Sequence, residues 1–154
     1  MKQIDPKKHS LVYLYLLLAL ISSRRNQKSL EFKQIQEHCD HFLTNFTYPQ
    51  VTSAVSKLFQ LVSCYAEYLI SVDKAIYGIR SIRETIIKTR DSEEQISPLH
   101  REFAKLCLKA KCYMHSLSII ETPVTSFKQK TAPLDIIVYN YYRGLLFTGL
   151  TKYN

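Results

Sequence analysis

Apolar positions recur along most of this chain at the three- and four-residue spacing of an α-helix. A continuous apolar run from Leu11 to Ile21 comes first, and the five isoleucines between residues 74 and 90 keep the helical spacing and do not alternate as a strand would. Ser97 and Pro98 are a helix start signal. The pattern predicts helices over about 9–21, 31–43, 49–69, 74–90, 98–112, 113–121 and 133–148, with polar loops at 22–29, 91–95 and 122–130.

Helices joined by short loops, with no convincing strand, predict antiparallel neighbours stacked in series. We therefore expect an all-α helical-repeat superhelix of six or seven helices, forming one segment over residues 1–154. Two candidate repeat corners lie 37 positions apart, near the repeat length of helix-turn-helix solenoids: Cys112 with Tyr113, and Gly149. Gly149 is predicted to end the last helix in a left-handed cap.

The first and last predicted helices have apolar surface that no other predicted helix covers. The first is apolar on all sides, and the last carries an apolar face through Ile137, Tyr141 and Leu145 with no second helix to lie on it. Natural solenoids end in polar caps. We therefore expect this chain to be a piece of a longer protein.

Composition supports a globular helical chain: 46% of the residues are hydrophobic and 22% charged, and only 3 glycines are available for tight turns. The net charge of +8 is spread from Lys2 to Lys152 without a long run. This favours a diffuse solvated basic surface, with an acidic protein or a nucleic acid as the alternative partner and nucleic acid the less favoured. The four cysteines lie in apolar helical patterns without a CxxC pair, which indicates free thiols.

A secreted helical protein is a weaker alternative. Lys7 and Lys8 precede the first apolar run as in a signal peptide, and Asn45 begins a formal glycosylation acceptor. The run is shorter than the roughly 20 residues that span a bilayer. Ile21 also makes a poor cleavage site. We expect neither secretion nor a membrane partner.

No catalytic, cofactor or metal site is predicted. His38 and His41 could share one helix face, but two ligands from one turn do not complete a zinc site. Phosphate loops, serine elbows and metalloprotease motifs are absent from the sequence. Cys107 and His100 share a face without being neighbours, so a catalytic pair is not favoured.

The candidate interface residues are basic or aromatic. Arg101, Lys105 and Lys109 follow one another at four-residue spacing, either as a solvated face or as a contact for an acidic subunit. Tyr139, Tyr141 and Tyr142 form the other group, because tyrosine packs between repeats and is enriched at interfaces.

Two sequence blocks resemble the helical-repeat region of the COP9 signalosome subunit 3 family. One runs from SPLH at residue 97 to LCLKAKCY, ending at residue 113, and the other is YNYYRGLLFTGL at 139–150. Weaker similarity extends to residues 9–11 and 78–79. The order and spacing of these blocks agree across nearly the whole chain.

This resemblance implies a non-catalytic scaffold with tetratricopeptide-like helices, followed in family members by a PCI domain that this sequence lacks. It implies other signalosome subunits as partners and, through them, cullin-RING ubiquitin ligases. The family's complex removes a ubiquitin-like modifier from cullins, and the zinc chemistry belongs to another subunit. A location in nucleus and cytoplasm is the corresponding expectation. A free-standing basic adaptor that binds an acidic protein or RNA stays open as the alternative function.

Overall fold

The computed structural model describes residues 5–24 and 32–153, and most of that length is helical. Seven helices of eight or more residues and one single-turn helix lie in this part of the chain, which confirms the predicted all-α class. They are α1 Ser10–Arg24, α2 Phe32–Asn45, α3 Tyr48–Val51, α4 Val55–Ser71, α5 Gly78–Thr89, α6 Pro98–Lys109, α7 Tyr113–Ile120 and α8 Pro133–Tyr153. Short 3-10 turns precede α4 and α5 at Thr52–Ala54 and Ala75–Tyr77. The first helix includes residues 22–24, which the pattern placed in a loop, and the rest of that predicted loop, 25–29, lies outside the described residues.

The helices are arranged in two layers, as expected for stacked helical pairs. α1, α4, α6 and α8 pack side by side in one row, while α2 and α5 pack against each other in the second. α7 lies against α6 and α8. Each apolar stripe therefore faces a neighbouring helix, and burying these stripes is the main favourable term for the fold.

Large side chains from both layers fill one continuous core. Tyr65 of α4 and Phe103 of α6 are fully buried at its centre, and Tyr13 of α1 stacks on Phe42 of α2 with ring centroids 5.6 Å apart. Phenol groups in such positions need polar partners. Tyr65 donates a hydrogen bond to the Asp40 carboxylate at 3.0 Å, which joins α4 to α2.

The structure contains a strand pair that the pattern did not indicate, one strand at the end of the predicted loop 91–95 and the other within the predicted loop 122–130. β1 (Gln95–Ile96) and β2 (Ser126–Phe127) run parallel, with Ile96 opposite Phe127. The expectation of no strand was wrong here, because a two-residue strand is too short to produce alternation. The pair joins the segments that lead into α6 and α8.

The predicted helix over 49–69 is divided in the structure. A single turn, α3, is followed by the 3-10 turn Thr52–Ala54, and α4 begins only at Val55. Ala54 leaves the helical region with φ −118° and ψ 28°. The apolar spacing continues across this change of direction, which is why the sequence pattern did not reveal it.

Two helices of the first row end in the same backbone motif. After α4, Asp73 has φ 56° and Lys74 N–H donates to Leu69 C=O at 2.8 Å. After α6, Lys111 has φ 56° and Cys112 N–H donates to Cys107 C=O at 2.9 Å. This is the Schellman motif, which satisfies the last carbonyls of a helix.

The two left-handed residues lie 38 positions apart, at 73 and 111. The chain therefore does turn at the predicted corner near Cys112. The equivalent corner lies after α4, near Asp73, about one repeat length earlier in the chain. The prediction for Gly149 was wrong: α8 continues through it to Tyr153, and no glycine in the described residues has a positive φ. Favourable packing of α8 carries the helix through a residue of poor helix propensity.

Candidate interaction surfaces

The Arg101 side chain lies at a junction of three helices. Its guanidinium donates to Glu102 Oε1 at 2.6 Å and to the carboxylate of Asp135 on α8. Ser63 of α4 donates to the same Glu102 oxygen at 3.0 Å. Burial by itself would lower the pKa of Arg101, but the carboxylates of Glu102 and Asp135 outweigh it and raise the pKa. This charge junction connects α4, α6 and α8.

The buried carboxylate of Glu102 neutralises much of the predicted basic stripe. Glu102 is only 3% exposed, and Lys105 Nζ lies 3.8 Å from its Oε2 atom. That oxygen accepts no hydrogen bond from the residues that the structure describes. Arg101 and Lys105 thus lie beside acids of this chain, whereas Lys109 is exposed. The sequence did not indicate the contact with Asp135, which comes from a distant helix, or the burial of Glu102, which directly follows Arg101.

The three candidate tyrosines occupy different environments. Tyr139 is 1% exposed and its ring meets the His100 ring edge-on at 5.6 Å, so it belongs to the packing of α8 on α6. Tyr141 is 64% exposed, and Tyr142 is half-buried with its ring 5.8 Å from that of Tyr141. The predicted interface therefore rests on Tyr141 and on the accessible part of Tyr142.

Tyr113 and Gly149 meet, although not as equivalent corners. Tyr113 begins α7, and a Cβ atom built on Gly149 would lie 2.6 Å from the Tyr113 ring. Real Cβ atoms do not approach so closely. Gly149 thus leaves room for the tyrosine ring between α7 and α8. Cys112 precedes this contact as the last residue of the α6 corner.

The residues considered above for catalysis or metal binding are His100, Cys107, His38 and His41. His100 is buried, its Nδ1 accepts a hydrogen bond from Ser97 N–H at 3.1 Å, and burial lowers its pKa to about 4. Burial also raises the pKa of the Cys107 thiol to about 12, so little thiolate forms near neutral pH. His38 contacts the Tyr13 hydroxyl at 3.2 Å, and His41 is exposed.

Across the part of the chain that the structure describes, no group of three histidine, cysteine, aspartate or glutamate side chains is placed to hold a metal. The four cysteines are free thiols. No described helix is both long and apolar enough to cross a membrane.

The end helices of the first row present apolar faces to solvent. On α1, Val12 and Tyr15 are 52% and 49% exposed. On α8, Leu134, Ile137 and Tyr141 are each more than 60% exposed. Clusters of this kind typically mark protein-interaction surfaces. The expectation that both end helices lack cover is confirmed.

Comparisons with known proteins agree with this architecture. A family model described as COP9 signalosome complex subunit 3, N-terminal helical repeats, matches residues 1–154. The chain is 30% identical to COP9 signalosome complex subunit 3 of Dictyostelium discoideum, over 97% of this chain and 36% of the relative. The corresponding proteins of Arabidopsis thaliana and Drosophila melanogaster are 27% and 26% identical, over 98% and 99% of this chain and 34% and 38% of the relatives. The chain thus spans about a third of the length of these relatives, and no solved structure matches it.

Proposed function

Since the chain belongs to the COP9 signalosome subunit 3 family, through its N-terminal helical-repeat region, we propose that it is a non-catalytic scaffold segment of a signalosome. In this role its helical faces bind sister subunits and support removal of the ubiquitin-like modifier from cullins. The observation that carries the proposal is the family match, which extends over the whole chain. The same proposal places the protein in the nucleus and the cytoplasm.

The exposed faces at the two ends of the helix row support a scaffold role. A helical row that offers uncharged apolar side chains such as Tyr15 on α1 and Ile137 on α8 can bind neighbours at both ends. The polar groups best suited to chemistry are instead used within the fold. His100 accepts a hydrogen bond at the start of α6, and Glu102 pairs with Arg101. Regulation of cullin-RING ligases is then an indirect consequence of assembly.

Co-purification tests this proposal. We expect the tagged full chain, expressed in Dictyostelium cells, to purify with a complex that removes the modifier from cullins. A chain that elutes alone and without this activity would contradict a signalosome role. Retention on RNA that falls steeply with salt would instead favour the basic-adaptor function.

Two matched surface variants identify the contact face in the same experiment. Tyr15→Glu alters the outer face of α1, and Ile137→Glu alters the outer face of α8; both side chains are about half exposed or more. Loss of co-purification with only one of them assigns the contact to that end of the row. Unchanged helical content and melting temperature of both variants show that the fold is intact.

A further inference from the structure

The corner between α6 and α7 contains two of the four cysteines. Cys107 is fully buried in the last turn of α6, and Cys112 is half-buried directly before α7. In an uninterrupted helix, residues five positions apart lie about 140° from each other around the axis and point to different sides. The backbone of this corner brings the two cysteines together instead.

The Schellman motif after α6 pairs the two residues directly. Cys112 N–H donates to Cys107 C=O at 2.9 Å, because Lys111 turns the chain back with φ 56°. This hydrogen bond keeps the two Cα atoms within about 7 Å, the limit beyond which a disulfide cannot close without backbone movement. Side chains at these two positions of the motif commonly contact each other. A disulfide between the two cysteines is therefore compatible with the backbone of the corner.

The surroundings of the two sulfur atoms agree with this proximity. The Cys112 thiol donates a hydrogen bond to Ala110 C=O at 3.5 Å, which keeps its sulfur beside the end of α6. Burial, and after it the negative charge of an ionised Cys112, raises the pKa of the Cys107 thiol to about 12. A charge on one sulfur thus acts on the other. At the equivalent corner after α4, the same two positions hold Leu69 and Lys74.

The two cysteines differ in their access to solvent, which determines the order in which they react. Cys112 is half-buried, whereas Cys107 has no exposed surface, so a reagent reaches Cys112 first. Lys109 and Lys111 are exposed and bring positive charge near this thiol, which favours the approach of an anionic molecule. The reagent that suits the site is a small disulfide that carries carboxylates, such as glutathione disulfide.

We propose that Cys107 and Cys112 form a redox-sensitive pair that a small anionic disulfide oxidises reversibly to an intramolecular disulfide. The Cys112 thiolate attacks one sulfur of glutathione disulfide, and a first reduced glutathione leaves. Cys107 then loses its proton to solvent and attacks the Cys112 sulfur of the mixed disulfide, and a second glutathione leaves. Two protein thiols are oxidised and one glutathione disulfide is reduced, so no other reactant is needed.

Oxidation would close the chain covalently at the entrance to α7. Tyr113 directly follows Cys112, and its ring packs against Gly149 of α8, so the bond lies beside the contact that seats α7. In a reducing compartment such bonds are transient and act as redox sensors. The pair concerns the thiols of this chain alone and is independent of signalosome membership.

Peptide mapping of the purified full chain, equilibrated in glutathione buffers from reducing to oxidising, tests the pair. Trypsin cleaves after Lys109 and Lys111, so a disulfide would join peptides 106–109 and 112–128. We expect this cross-linked peptide in oxidising buffer and its loss in dithiothreitol. A glutathione adduct that persists on Cys112, a bond from Cys112 to another cysteine, or two reduced thiols in the most oxidising buffer would each overturn the proposal.

Variants and unfolding separate the effect of the corner from that of short sequence separation. Cys107→Ala should accumulate the glutathione adduct on Cys112, and absence of the adduct would contradict attack through Cys112. Cys64→Ser, a change at another half-buried thiol, is the matched control and should leave the cross-linked peptide unchanged. The equilibrium constant for closing the bond should be about tenfold or more higher in the native protein than in concentrated urea, because the corner already holds the residues together. Equal constants would show that the fold does not favour the bond.

Discussion

At the residue scale, the most informative residues are those with an unusual backbone conformation or an unusual pKa. Lys111 holds a left-handed backbone with φ 56° that favours glycine, and buried His100 remains neutral well below the usual pKa of a histidine. Both residues lie at ends of α6: Lys111 is in the corner after it, and His100 accepts a hydrogen bond at its start. We can therefore predict whether substituting each residue raises or lowers the free energy of unfolding.

Lys111→Gly should stabilise the protein by about 0.5 to 1 kcal/mol. The relief of left-handed strain outweighs the larger entropy that glycine gives the unfolded chain. Urea denaturation measures this change. Lys109→Gly, an exposed position still within α6, is the matched control and should cost about 0.5 to 1 kcal/mol. Destabilisation by both substitutions would contradict the strain argument.

Stability should fall as the pH drops from about 6.5 to about 4, because the unfolded chain protonates His100 and the folded chain does not. Titration of His100 alone should lower the free energy of unfolding by about 2 to 3 kcal/mol across that window. His100→Gln can keep the hydrogen bond from Ser97 and removes the titration. The variant should therefore show a flatter stability profile over the window, measured by urea denaturation at several pH values.

At the element scale, two glycines of α8 have opposite roles. Gly149 faces the Tyr113 ring of α7, while Gly144 faces open space. The helix continues through both, because its other face packs on α6 and α7. Contacts between helices, more than local propensity, therefore keep residues 144 and 149 helical.

Gly149→Ala should destabilise the protein by about 1 to 3 kcal/mol, since the new methyl group overlaps the Tyr113 ring. Gly144→Ala in the same helix should stabilise the dilute protein by about 0.5 to 1 kcal/mol. Thermal melts of both variants, followed by circular dichroism, measure the difference. Equal effects at the two positions would show that the ring contact does not limit residue 149.

At the scale of the whole molecule, a charge junction joins three helices of the first row. Arg101 of α6 pairs with the buried Glu102 and with Asp135 of α8, and Ser63 of α4 completes the contact. A carboxylate buried to this degree is costly without a partner. Arg101 is therefore the main partner of this buried carboxylate, and Lys105 Nζ lies 3.8 Å from its second oxygen.

Arg101→Ala should cost about 3 kcal/mol, because it leaves the Glu102 carboxylate buried without its main partner. Arg80→Ala, which removes an ion pair from an arginine side chain that is 88% exposed, should cost less than about 0.5 kcal/mol. Urea denaturation measures the free energy of unfolding of both variants. Adding Glu102→Gln to Arg101→Ala should recover part of the loss. A lack of recovery would mean that packing of the Arg101 stem, and not charge, explains the cost.

The sequence by itself determined the class of the fold and most helix positions, because helical spacing of apolar residues is a local property. It also indicated the uncovered faces of α1 and α8 and, through two sequence blocks, the family. It could not predict the pairing of Arg101 with Asp135, which is 34 positions away, or the burial of the adjacent Glu102.

Only the tertiary structure decided which residues close the helices and which are accessible. Gly149 was expected to end α8, but the space beside Tyr113 and the packing on α6 keep it helical. Tyr139 and Tyr141 look equivalent in sequence, yet one is buried and the other exposed. Spacing along the chain specifies a helix and its apolar residues. Which of them are covered depends on neighbours brought together only by stacking.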